Sequence, residues 1–138
     1  MSIGKRYVSF DDVDMQVFDW GSLSFMSEPK VTGTENMSAA VVILQPGKGH
    51  SWHNHEGCEE LLYVIEGVGD QAVEEGGKKL EKRVTNGDLV HIPPSAFHST
   101  VNVGTTPMVI LAIYQLPQME AIFRELPGCK IVPAKNKG

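Results

Sequence analysis

The chain has 138 residues, 41% of them hydrophobic, a length suited to one domain that buries about two thirds of its unfolded surface. Twelve Lys and Arg against 17 Asp and Glu leave a net charge of −5 with His neutral, the wrong balance for gripping phosphate backbones, so no nucleic-acid partner is expected. Nowhere do about 18 apolar residues run together, so no membrane span is expected either. Lys5 and Arg6 precede no apolar stretch of signal-peptide length. Cys58 and Cys129 are too few for a disulfide framework, and a cytoplasmic address with both thiols reduced follows.

In chain order, Val13, Met15, Val17 and Phe18, with Trp20, Leu23 and Phe25 beyond them, fit one or two strands within residues 1–38. Residues 39–44 form an apolar, β-branched run ended by Gln45-Pro46-Gly47, and 61–65 repeat it before Glu66-Gly67. Residues 69–73 and 80–84 read as a hairpin, because Gly76-Gly77 can supply the positive φ angles of its turn. Asn86-Gly87-Asp88 is a turn, 89–92 a short strand stopped by Pro93-Pro94, and 99–103 and 108–114 two further strands. Strands recurring about every ten residues indicate an all-β sandwich or barrel.

Only residues 117–127 look helical: Pro117 suits a first helical position, and Met119, Ile122, Phe123 and Leu126 share one apolar face. Glu120 and Arg124 form an i,i+4 pair, and Pro127-Gly128 ends the helix. Residues 133–138 have the composition of a loose tail. The whole, 1–138, reads as one domain with 39–114 as its barrel core and the helix covering one mouth or face.

Chemistry concentrates in three histidines and a glutamate. His53 and His55 are two apart, so in extended chain both rings point to one face and can converge on one ion. Glu60 follows after Glu56-Gly57-Cys58, a stretch able to loop back, and His98 begins a strand after Pro93-Pro94. Such mixed nitrogen and oxygen donors suit one divalent transition metal, among Fe, Mn, Ni, Co, Cu and Zn.

These residues resemble the cupins. The first motif of that family, G(X)5HXH(X)4E(X)6G, is matched by Gly47, His53, His55, Glu60 and Gly67. The second, G(X)5PXG(X)2H(X)3N, is matched by Gly87, Pro93, His98 and Asn102, with Ser95 where the family has Gly. The resemblance implies a small jelly-roll (double-stranded β-helix) barrel with a metal inside, ligated by His53, His55, Glu60 and His98. Cupin-like barrels that keep the fold and lose the metal are the alternative.

Several neighbours read as bystanders. Glu59 does not fit the motif spacing and should be solvated; His50 should lie at the surface; His91 alternates with Val90 and Ile92 and should face away from the cavity. Residues 67–72 satisfy a G-x-G-x-x-G/A dinucleotide pattern, but Gly76-Gly77 falls where its helix would have to continue. Cys58 reads as a small hydrophobe. Trp52 and Tyr63 should lie on the outer face.

Four protein ligands on an ion that prefers six leave about two positions for water or a bidentate substrate. Strand alternation puts Leu62 and Val64 on the face of Glu60, and Thr100 and Asn102 on that of His98, so these four are the candidate pocket walls. Asn102 reads as a structural hydrogen-bonder. Arg6, Arg83 and Arg124 all fall outside the motifs, which argues against a strongly anionic substrate. The expected function is a metal-dependent isomerase, lyase or dioxygenase acting on a small oxygenated metabolite. The alternatives are a non-catalytic small-molecule or metal-binding module and a purely structural barrel. Apolar N-terminal strands and an outward Trp52 suggest a homodimer.

Overall fold

Period-two burial separates an inside from an outside along the central strands of the computed structural model, which describes residues 4–136. In chain order the elements are β1 (Met15–Phe18), β2 (Gly21–Ser27), α1 (Pro29–Thr32), β3 (Ser38–Leu44), β4 (Gly49–His53), β5 (Glu60–Glu66) and β6 (Val68–Glu75). There follow β7 (Lys78–Thr85), β8 (Leu89–Ile92), β9 (His98–Asn102), β10 (Met108–Tyr114), α2 (Met119–Arg124) and β11 (Lys130–Val132). The strands form two antiparallel sheets, ordered β11-β1-β2-β3-β10-β5-β8 and β4-β9-β6-β7. This is the expected all-β jelly roll with a short helix near the C-terminus.

β3 and β10 pair in full register, from Met108 opposite Leu44 to Tyr114 opposite Ser38. Ala40, Val42 and Leu44 on one strand and Met108, Ile110 and Ala112 on the other face the interior at no more than 3% exposure. Truncating a side chain as large as Leu44 in such a place costs about 2–5 kcal/mol. The outward positions of the same strands, Val41, Ile43, Leu111 and Ile113, are also apolar and only half-buried. The β6–β7 hairpin turns at Gly76 and Gly77, both at positive φ, as their pairing in sequence suggests.

The structure departs from the sequence reading at several elements. α2 spans only Met119–Arg124; Pro117 stands outside it, and a residue before proline, as Leu126 is, avoids helical backbone. Its buried face is Met119 and Phe123, whereas Ile122 and Leu126 are 47% and 43% exposed. The Glu120–Arg124 pair forms, with the Arg124 Nε donating to Glu120 at 2.7 Å. In β1 the inward residues are Gln16 and Phe18, so a glutamine takes a core position. Its Nε2 donates to the Glu120 carbonyl at 2.9 Å, tying α2 to β1. β1 is not an open edge, because β11 pairs with it. Of the expected tail, residues 133–136 are held rather than loose: the Asn136 amide donates to the Asp11 carbonyl at 2.9 Å and Ala134 to the Asp14 carboxylate at 2.9 Å. Residues 137–138 lie outside the described residues.

Gly49 positions the next part of the structure. It opens β4 opposite Val101 of β9, and a Cβ there would sit 1.9 Å from the Thr100 carbonyl oxygen. Gly49→Ala is therefore expected to push β4 away from β9 and destabilise the protein by about 1–3 kcal/mol, read from denaturant unfolding. An unchanged midpoint would show that the two strands are not held this tightly.

Candidate metal centre

His53 ends β4 and pairs directly with His98, the first residue of β9, so two ligand candidates meet across one sheet. His55 lies in the loop after β4, and Glu60 opens β5 opposite Tyr114 and Ile92 in the other sheet. The ring centroids lie 4.3 Å apart for His53 and His98, 4.9 Å for His53 and His55, and 5.5 Å for His55 and His98. One nitrogen from each of these three rings falls within 4.8 Å of the others, a group able to hold a metal ion. A Glu60 oxygen, Oε1, lies 3.7 Å from His55 Nε2 and 3.6 Å from His98 Nε2.

Hydrogen bonding orients the rings. His53 Nδ1 lies 2.5 Å from the Ser51 carbonyl and His98 Nδ1 3.0 Å from the Ala96 carbonyl. A carbonyl only accepts, so each Nδ1 carries the proton and each Nε2 keeps a lone pair for a ligand. Glu60 has no such arrangement: its Oε1 is buried without any hydrogen-bond partner. An unpaired buried acceptor costs about 1–3 kcal/mol, and a cation beside it removes that penalty. The donor set therefore fits a divalent metal.

Burial governs protonation here. Desolvation pushes the Glu60 carboxyl up to about 8 and pulls His98 down to about 4. His55 falls to about 4 and the neighbouring His50 to about 3, through desolvation first and then the other imidazoles. Each imidazole stays neutral in the fold while its unfolded counterpart gains a proton below about pH 6.5, so the stability it contributes is lost as pH falls from there toward 4. Glu60 acts oppositely: the fold keeps its proton up to about 8 while the unfolded carboxyl releases it above 4.5, so stability falls as pH rises between these values. Metal-stripped protein should thus melt highest near pH 6.5, and Glu60→Gln should flatten the decline above it. Thermal melts in chelator across this range check both, and a maximum at pH 8 or above would contradict the burial of Glu60.

Among the expected pocket residues, Leu62 and Thr100 line a cavity of about 20 Å³ beside the rings, with Val42, Ile110, Tyr114 and Phe123. Val64 and Asn102 are buried but do not reach that cavity. Asn102 instead serves the backbone: Nδ2 donates to the Leu44 and Thr106 carbonyls at 2.9 and 2.8 Å, and Oδ1 accepts from Gly104 at 2.8 Å. Asn102→Ala strands these groups and should cost about 3 kcal/mol with metal content unchanged; loss of metal without loss of stability would reverse that assignment.

Glu59 points outward, where His91 Nε2 lies 2.6 Å from its carboxylate, so both sit at the surface away from the rings. Trp52 and Tyr63 are exposed, as alternation requires. Cys58 is buried and burial pushes its thiol up, as for an inert small hydrophobe; both cysteines are free. No helix among the described residues is long and apolar enough to cross a membrane.

His50 is the principal correction. Instead of lying at the surface, it lines the inner cavity, with Nε2 buried and unpaired. The cause is a bulge in β4: His50 pairs with Thr100 and His53 with His98, so three steps along β4 match two along β9. Both histidines then face inward and Ser51 and Trp52 are left outside. His50 also lines a wider cleft of about 490 Å³ at the mouth, with Trp20, Ile122 and Leu126. The Trp20, Phe123 and Tyr114 contributions lie far from the motifs in sequence, and no spacing rule connects them.

The family model described as Cupin domain matches residues 40–114. An uncharacterised protein of Methanocaldococcus jannaschii is 32% identical over 83 residues, which are 60% of this chain and 63% of that protein. The glucose-6-phosphate isomerase of Thermococcus onnurineus is 33% identical over 90 residues, 57% of this chain and 47% of the isomerase. Oxalate decarboxylase of Lactobacillus farciminis, solved as a formate complex, superposes with a TM-score of 0.71 at 28% identity over 78% of this chain and 32% of its own.

Proposed function

The chain belongs to the cupin family, and on that premise we propose that it is a metal-dependent enzyme, of isomerase, lyase or dioxygenase class, acting on a small oxygenated metabolite. In this reading the three-histidine group of His53, His55 and His98, joined by Glu60 beside His55 and His98, holds one divalent transition metal, among Fe, Mn, Ni, Co, Cu and Zn. The observation that carries it is the unpaired, buried Glu60 oxygen, 3.6 and 3.7 Å from two imidazoles of a three-histidine group. When bound, such an ion acts as a Lewis acid on a carbonyl or hydroxyl oxygen. The Ser51 and Ala96 carbonyls hold two rings in the ligating tautomer. Val42, Leu62, Ile110 and Phe123 keep bulk water from the space beside them, with Thr100 as the polar wall.

The isomerase and decarboxylase relatives act on small oxygenated molecules by name, which supports the substrate class. This chain spans about half of the isomerase and a third of the decarboxylase, so their particular substrates are not carried over. A non-catalytic binding module is the second reading, favoured by the inner cavity, whose volume of about 20 Å³ takes little more than one water. The apolar outward row Val41, Leu111 and Tyr63, neighbours across β3, β10 and β5, supports a homodimer. Two free thiols support a cytoplasmic location.

Elemental analysis of protein purified without chelating resin tests the metal. About one equivalent is expected, nearly all lost in His53→Ala and His98→Ala and retained in Glu59→Ala. Returning metal to stripped protein at a hundredfold excess over its Kd should add about 2.7 kcal/mol, roughly 5–10 °C in Tm. No metal and no rise in Tm, or equal loss in Glu59→Ala, would overturn the centre. Turnover of any member of a panel of diols, hydroxy acids, keto acids and catechols separates the enzyme from the binding module.

A further inference from the structure

His50 is the inward histidine that the metal reading does not use. Its nitrogens fall outside the three-ring group, its ring centroid is 5.7 Å from that of His53, and its Nε2 is buried with no partner. A buried polar atom without a partner calls for an explanation, and here its surroundings supply one. His50 belongs to the walls of both the inner cavity and the outer cleft, so it stands where the two meet. The Trp20 ring packs against it at 4.3 Å and 90°, which fixes the imidazole plane.

The cleft itself has a definite chemistry. Trp20, Ile122, Phe123 and Leu126 give it an apolar wall, and its polar members are the three histidines, Ser51 and Asn54. Among the described residues lining it there is no Lys or Arg, the side chains that recognise phosphate and other dianions. Arg124, the arginine of α2, is engaged by Glu120 on the side facing β1. The exposed Ile122 and Leu126 are therefore explained as one side of a slot for an apolar group.

We infer that His50 is a substrate-binding residue: its Nε2 hydrogen-bonds an oxygen of a small oxyacid whose apolar, phosphate-free body lies between Trp20 and α2. The inference rests on the metal reading, since the proposed ion draws the oxygenated head toward His53, His55 and His98. It separates this chain from relatives whose names specify a sugar phosphate.

Calorimetric titration of the protein as purified, with mandelate, glycolate and phosphoglycolate, tests it. Mandelate should bind about tenfold or more tightly than glycolate, because its ring enters the apolar slot. Phosphoglycolate should bind no better than glycolate. His50→Leu should weaken mandelate and glycolate alike by about tenfold, the contribution of one hydrogen bond. His50→Gln, whose amide nitrogen reaches the place of Nε2, should retain most of the affinity, and Ile122→Ala should weaken mandelate alone. Metal content, measured on each variant, should not change.

Full affinity in His50→Leu, a preference for phosphoglycolate, or equal or absent binding of mandelate and glycolate would each overturn the inference. Loss of metal in His50→Leu would overturn it too, by making His50 a ligand. The two readings fail separately: a wild-type protein without metal removes the centre, while the ratio of mandelate affinities between wild type and His50→Leu still judges His50.

Discussion

A carboxylate oxygen buried without a donor is the constraint around which this end of the barrel is built. Glu60 sits at 4% exposure, and its Oε1 is surrounded by imidazoles too distant to hydrogen-bond to it. Without a cation, desolvation is relieved by neutralisation, the carboxyl keeping its proton and His55 and His98 shedding theirs, which is why the carboxyl is pushed up and these imidazoles are pulled down. The neutral His55 and His98 are already in the ligating form, whereas the carboxyl must give up its proton to act with them. The apolar cavity residues Val42, Leu44 and Ile110 belong to this balance, because they lower the local dielectric and so strengthen attraction to a cation as much as they penalise a lone charge.

The rings are brought together by backbone devices. The bulge in β4 and the close approach of Gly49 to Thr100 set β4 against β9, so that His53 and His98 face each other. The loop bearing His55 is fastened to the loop before His98 through Ser95. That residue adopts φ 64°, a left-handed conformation that explains why a glycine suits the motif. Here the serine hydroxyl accepts from the Gly57 amide at 2.8 Å and its carbonyl accepts from Asn54 Nδ2 at 3.0 Å. The hydroxyl bond, about 1 kcal/mol, offsets much of a backbone cost of about 1–2 kcal/mol, while the carbonyl bond is one that glycine would make as well. The departure from the motif thus alters how the loop is held and leaves the three histidine rings grouped.

Much of this was legible in the sequence, for definite reasons. β3, β5 and β10 are apolar enough to announce themselves, and Gly76-Gly77 marks the hairpin because a glycine pair adopts two successive positive φ angles without steric cost. Glu60 was separable from Glu59 because Glu60 alone fits the motif spacing from His55, and in the fold the two face opposite ways, Glu60 toward the cavity and Glu59 toward His91. β4 was hard to see, since its residues, Gly-His-Ser-Trp-His, lack a hydrophobic signal, and no period-two rule foresees the bulge that turns His50 inward. β11 is three residues with exposed side chains, formed because β1 offers it a partner. Gln16 holds a core position on the strength of a hydrogen bond to α2, a tertiary reason that composition does not carry.

That bond also bears on how a binding cleft is made. α2 is six residues long, too short to be stable alone, and is fixed by Met119 and Phe123 in the core, by Glu120 with Arg124, and by Gln16 from β1. Its position sets the far wall of the cleft, while Trp20, stacked on Phe18 at 4.8 Å, sets the near wall. Neither wall belongs to the strands that carry His53, His98 and Glu60. The centre rests on β4, β5 and β9, and the two apolar walls of its mouth on β1, α2 and the turn before β2, with β4 lining the floor between them through His50 and His53. Phe123 joins them, since it packs against His55 at 5.7 Å while lining both spaces, so a shift of α2 reaches the imidazoles through that ring.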